Sequence, residues 1–275
     1  MKTLNVMLIT FLILSSLSAK ILKTKTSTHT QIKSGSLQSS PYQKNIYLAS
    51  LAQQSQRYDD MVEYLQDIIN DKTRDLTKDE RELLSMAYMN SVSKRTVALR
   101  TTSAYELKEK RRETSIYLPY IREYKAKLLN ELVNLCDRFI ASIDNKLLTK
   151  TSDSEAKVFY LKMKGEFFKF IASYGEGATK DDAIRNALDA YNKAAEEAKV
   201  LAKVNPLSLE LALSLSTFYY EIVNDQSKAI EIAENTIQSV SQELSNIDPD
   251  DSDDNRQSLS IYNLIRENLD MWMYQ

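Results

Sequence analysis

The sequence predicts an all-α protein, and three observations carry that prediction. Only 4 Gly and 4 Pro occur in 275 residues, too few turn residues for an all-β or α/β chain of this length. Hydrophobic residues make up 43% of the chain, enough to bury a sizeable core. From about Asn45 onward the apolar residues recur at the three-to-four spacing of an amphipathic helix.

Taken in order, the pattern gives about nine antiparallel helices joined by short connections. The first is expected over Ile46–Gln54 and the second from Asp59 to about Ile69. Thr77 and Glu80 have the spacing of a capping box, so a third helix starts there and runs past Arg100, with Leu83, Leu84, Met86, Ala87, Val92 and Val97 along it. Pro119 opens a fourth that reaches Leu148, its stripe formed by Leu128, Leu129, Leu132, Cys136 and Ile140. A fifth starts at Ser152 or Ser154 and stops at the Gly175–Gly177 pair. The sixth spans Asp181 to about Val204. Asn205-Pro206 breaks it and opens a seventh that runs to Val223. The eighth covers Ser227–Leu244. The acidic stretch Asp248–Asp254 is a loop, and the ninth helix spans Arg256 to Met273.

Charge and rare residues exclude several function classes. There are 36 basic and 38 acidic residues, a net of -2, so no global positive field draws in nucleic acid. One cysteine, Cys136, and one histidine, His29 in a Ser/Thr-rich tail, exclude a disulfide framework, a His/Cys metal centre and a Cys–His catalytic pair in the folded body. Asp248–Asp254 lacks the Gly and the final Glu that a calcium loop needs. The lone Gly175-Glu176-Gly177 reads as a helix stop. No cofactor, no metal and no enzymatic activity are expected.

The N-terminus stands apart. Residues 1–19 form a short basic start, an apolar run from Leu4 to Leu17, then Ser18-Ala19, the layout of a signal peptide and too short for a confident transmembrane helix. No Asn-x-Ser/Thr sequon occurs, which weighs against a secreted protein. Residues 20–44 are polar, rich in Ser, Thr and Lys, and expected to be a disordered linker before a domain over 45–275. Membrane attachment is expected only if residues 1–19 stay uncleaved.

Five stretches resemble the 14-3-3 family, in that family's order and at near-family spacing. They are Arg57-Tyr58-Asp59-Asp60-Met61, Glu82-Leu83-Leu84-Ser85-Met86-Ala87-Tyr88, the run Ala156 to Gly165, Phe218-Tyr219-Tyr220-Glu221-Ile222, and Leu264 to Leu269 followed by Trp272. The resemblance covers about residues 45–273. It implies a 14-3-3-like cup of nine helices that dimerises through the first four. Each cup presents an amphipathic groove for an extended phosphorylated peptide, in an adapter of signalling pathways that is cytoplasmic. A secretory location is the alternative if residues 1–19 act as a signal peptide. A tetratricopeptide-like helical repeat is the runner-up fold, favoured only by residues 187–240, because no 34-residue period runs through the rest.

By resemblance, Asp60 pairs with Lys127 and Arg57 with Glu131 across the dimer, and Tyr124 packs at the same interface. Positions 124, 127 and 131 lie three and four apart, hence on one helix face. Also by resemblance, phosphate is gripped by four positions that here hold Met89, Thr96, Lys169 and Phe170. Met89 and Thr96 cannot pair with a dianion, Lys169 keeps a charge without the arginine fork, and Phe170 lacks the tyrosine hydroxyl. Each hydrogen bond to a charged group contributes about 1.5–3 kcal/mol, so losing two cations and one hydroxyl costs about 4 kcal/mol or more. That turns a micromolar phosphopeptide into an approximately millimolar one. Arg100 and Lys162 are the nearby cations that could form a weaker anion site with Lys169. Leu213, Ser214, Thr217, Glu221, Ile261, Leu264, Asn268 and Trp272 match the remaining groove positions. The expected partners are therefore protein segments, phosphorylated or not, with the chain as homodimer or heterodimer. A phosphate-independent groove binder, or a partner for an intact relative, is the alternative function.

Overall fold

The computed structural model describes residues 40–71, 74–112 and 114–274. Among them are nine α-helices and no strand. The apolar segment expected over 1–19, and most of the linker expected over 20–44, lie outside the described residues. Among those described, no helix is long and apolar enough to cross a membrane. The chain sorts into two compact units, one ending at Lys150 and one beginning at Thr151.

The first unit holds α1 (Pro41–Gln54), α2 (Tyr58–Asp71), α3 (Lys78–Lys110) and α4 (Leu118–Ser142). Helix α1 starts five residues before the apolar pattern does. Ser40 and Gln43 form a capping box and Pro41 sits in the first turn, so the start is set by cap chemistry, with no apolar residue needed. The α3 cap is the one the sequence announces: Thr77 accepts from the Glu80 amide, and the Glu80 carboxylate accepts from Thr77 N–H at 2.8 Å. Helix α4 ends at Ser142, and Ile143–Leu147 continues it as one π-helical turn. The core of this unit forms around Met61, Leu84, Tyr88, Leu132, Cys136 and Phe139, all with 1% exposure or less. Tyr88 stacks on Phe139 at 4.1 Å.

The second unit holds α5 (Ser154–Tyr174), α6 (Gly177–Glu197), α7 (Pro206–Phe218), α8 (Gln226–Leu244) and α9 (Asp253–Met273). Helix α6 begins at Gly177, four residues earlier than the apolar pattern places it. Gly177 adopts φ +54, a turn a glycine makes at no steric cost, and the helix winds directly out of it. Asn205 caps α7 by accepting from the Leu207 amide at 2.8 Å, with Pro206 next in line. Helix α7 also passes into a π-helical turn, Tyr219–Val223, closed by Asn224 in the left-handed region. Ser252, inside the acidic stretch, caps α9 by accepting from the Asn255 amide, so the helix starts at Asp253, three residues before the expected Arg256. Helices α5 and α6 approach closely at Gly165, where the ring of the fully buried Tyr191 fills the space a Cβ would need.

Candidate functional site

In the first unit, Met89, Thr96 and Arg100 follow one another along α3 at spacings of seven and four, which places them near one face. Met89 and Arg100 are half-buried and Thr96 is buried. The Thr96 hydroxyl donates to the Ser93 carbonyl at 3.0 Å. The neighbouring cations are engaged on α2. Arg95 Nη1 donates to Asp59 Oδ1 at 2.7 Å and to the Ser91 carbonyl at 3.0 Å, and Lys94 lies 3.6 Å from the same carboxylate. Burial works against ionisation of Asp59, but the Arg95 and Ser91 hydrogen bonds outweigh it and hold the carboxyl below its ordinary range.

In the second unit both lysines of interest lie on α5, seven residues apart and both nine-tenths buried. Lys162 Nζ contacts Glu210 Oε2 at 2.5 Å, and Gln257 donates to the other Glu210 oxygen at 2.7 Å. Lys169 Nζ lies 3.6 Å from Glu221 Oε2 and donates to Thr217 Oγ1 at 3.4 Å. Burial alone would lower the Lys169 ammonium, but the Glu166 and Glu221 carboxylates outweigh it and its pKa is raised. Burial pushes the Glu221 carboxyl up, Lys169 offsets only part of this, and Glu166 adds to the rise. Neither Glu221 oxygen has a donor at hydrogen-bond distance. Phe170 is half-buried and meets Phe167 edge-on at 6.0 Å.

The matched apolar residues separate into two groups. Leu213, Ile261 and Trp272 have 1–2% exposure and belong to the core of this unit, so they support a surface from behind and offer little of it themselves. Trp272 stacks on Tyr220 at 4.8 Å, and its carbonyl accepts from Gln226 at 2.7 Å. Leu264 and Asn268 keep 8–9% exposure, and Ser214 is half-buried. Thr217 is buried, its hydroxyl donating back to the Leu213 carbonyl at 2.8 Å. On the first unit, Tyr124 is 54% exposed, Lys127 and Glu131 are exposed, and Arg57 makes a 2.5 Å ion pair with Asp60 one turn away.

Sequence reading missed four groups that set the electrostatics here: Asp59, Glu166, Glu210 and Gln257. Spacing carried a signal for two of them. Glu166 precedes Lys169 by three, one helical turn, and Glu210 precedes Glu221 by eleven, three turns. Gln257 is reached only through tertiary packing.

The 14-3-3 protein family model matches residues 48–273. The chain belongs to the 14-3-3 family. Relatives of the chain include a 14-3-3-like protein of Helianthus annuus, 38% identical over 237 residues that cover 85% of this chain and 90% of the relative. The 14-3-3 protein 6 of Solanum lycopersicum is 36% identical over 85% of this chain and 90% of its own length. The 14-3-3-like protein C of Nicotiana tabacum is 37% identical over 84% and 88%. The all-helical fold of this 14-3-3 chain and the family assignment agree with what the five sequence stretches imply.

Proposed function

We propose that the protein is a dimeric 14-3-3 adapter that holds extended segments of partner proteins with little dependence on phosphate. Family membership supports the adapter role. The chemistry at three of the four positions matched to phosphate carries the second half. Met89 offers a thioether that cannot donate, the Thr96 hydroxyl already donates to the Ser93 carbonyl, and Phe170 has no hydroxyl. A dianion needs several converging donors, with a bidentate arginine the strongest of them. The matched dimer positions Tyr124, Lys127 and Glu131 are exposed on α4, as a surface awaiting a second copy requires.

The test is a pair of titrations with a fluorescein-labelled peptide carrying one phosphoserine and with its unphosphorylated twin. The two affinities should lie within about tenfold of each other, because roughly 4 kcal/mol of phosphate contacts are missing. A hundredfold preference for the phosphorylated form would refute the reading. Restoring the family's donors with Met89→Lys, Thr96→Arg, Lys169→Arg and Phe170→Tyr should raise the phosphate preference by at least a hundredfold.

A further inference from the structure

The last cation among the matched positions is already occupied. Lys169 is buried on α5, with Glu221 of the turn after α7 at 3.6 Å and the Thr217 hydroxyl at 3.4 Å. Glu166, one turn before it, adds a second negative charge to the same surroundings. The cluster of Lys169, Glu166 and Glu221 therefore sums to one net negative charge. The π-helical turn over Tyr219–Val223 contains Glu221, and such single turns are frequent at functional sites.

We propose that Glu221 is an internal counter-anion that competes with ligand phosphate for Lys169, and so is a positioning residue that sets the selectivity of this chain. This rests on the adapter reading above and adds a second cause of weak phosphate dependence. The substituted positions remove donors, while Glu221 withholds the donor that remains. Both Glu221 oxygens lie buried without a hydrogen-bond donor, so the carboxylate has no other group to satisfy it and holds Lys169 closely. A phosphate must displace that carboxylate into a site that already carries Glu166, whereas an unphosphorylated segment has no such barrier.

The experiment measures the ratio of affinities for the phosphoserine peptide and its serine twin in the full chain and its variants. Glu221→Gln should raise the ratio about tenfold, the worth of one charge-assisted hydrogen bond regained. Glu221→Asp, which keeps the anion, should leave it near the starting value. In a Lys169→Gln background the Glu221→Gln change should have no effect on the ratio, because the competition acts only through that amine. A ratio that moves less than threefold in Glu221→Gln, or moves equally with and without Lys169, overturns the proposal. If Glu221→Gln fails to fold, Glu166→Gln serves instead, with an expected rise of about threefold that must likewise vanish without Lys169. The proposed function is read separately, from the unmodified chain: binding of neither peptide at millimolar concentration overturns the adapter reading and this inference with it.

Discussion

Replacing Lys169 by Met removes one ammonium and keeps an unbranched side chain of similar reach. What remains is the Glu221 carboxylate, 8% exposed, with no hydrogen-bond donor on either oxygen and Glu166 nearby. Removing one partner of a buried ion pair costs about 3–5 kcal/mol, because the surviving charge stays desolvated and uncompensated. For a domain of 150–250 residues each kcal/mol corresponds to about 2–4 °C, so the expected drop in melting temperature is about 6–20 °C. The double variant Lys169→Met/Glu221→Met removes both charges and should recover most of that loss, since an apolar pair of similar volume is often as stable as the buried ion pair it replaces.

The loss also carries a pH signature. The Glu221 carboxyl titrates above its ordinary value of 4.5 in the folded protein. The folded state therefore binds a proton that the unfolded state has already released. Stability from this group is full below the unfolded pKa and declines as pH rises through the folded pKa. Taking away Lys169 removes the charge that pulls the Glu221 pKa down, so the window moves to higher pH and the penalty deepens near neutrality. Thermal unfolding followed by circular dichroism at about pH 7.5 and about pH 5.5 should show the single variant losing less at the lower pH. A single variant within about 1 kcal/mol of the parent at pH 7.5, or a double variant as unstable as the single, would refute the buried-pair argument.

Three further outcomes follow from the geometry. Gly165→Ala would set a Cβ 2.5–2.7 Å from three ring atoms of the buried Tyr191; chemical denaturation should show a net loss of about 1–2 kcal/mol, whereas helix propensity alone would give a gain of about 1. Glu106 is held by Lys110 at 2.9 Å, Lys125 at 3.1 Å and Arg122 at 3.4 Å, and these partners bring its carboxyl down to about 2. Glu106→Gln should cost about 1–2 kcal/mol near neutrality, since the three cations are partly solvated, and urea titrations should show the gap persisting above the ordinary carboxylate range and closing as pH falls toward the depressed value. Lys127→Glu should weaken the dimer by about 2 kcal/mol, roughly thirtyfold in Kd, because a twofold axis repeats the lost contact; analytical ultracentrifugation should find the dimer restored by adding Asp60→Lys, and an unchanged dimer in Lys127→Glu would remove this pair from the interface.

The fold was legible because it rests on local signals. The Thr77–Glu80 capping box and Asn205-Pro206 sit where composition and spacing put helix boundaries. The errors fall where a helix start is set by a polar cap ahead of the apolar pattern, as at Ser40 and Ser252, by a glycine turn, as at Gly177, or where a helix changes pitch, as at Ile143 and Tyr219. The π-helical turns leave the apolar stripe almost continuous, so periodicity does not reveal them. At the candidate site, helix spacing correctly puts Lys162 and Lys169 on one side of α5. It could not show that each faces a carboxylate on α7 or the turn after it, because that depends on how the helices pack. It also could not separate Leu264 and Asn268, which keep some exposure, from Leu213, Ile261 and Trp272, which keep almost none.

The two lysines on α5 bear on the proposed weak dependence on phosphate. Counted as sequence, Lys162 and Lys169 are two cations in reserve for an anion. Counted as structure, Lys162 meets Glu210 at 2.5 Å and Lys169 meets Glu221 at 3.6 Å, so each ammonium already has a carboxylate partner within the chain. Opposite charges about 4 Å apart attract by roughly 4 kcal/mol at an effective dielectric of about 20, and an arriving phosphate must forfeit that attraction before it gains its own. A guanidinium at position 169 could pair with Glu221 and still present a free edge, because it carries five donors in a plane. The ammonium has one charged centre and here spends it. The Lys at 169 is thus more than a weaker copy of an arginine. On the proposal above, with Glu221 at 3.6 Å and the Glu166 charge acting on it as well, it serves the scaffold before it can serve a phosphate.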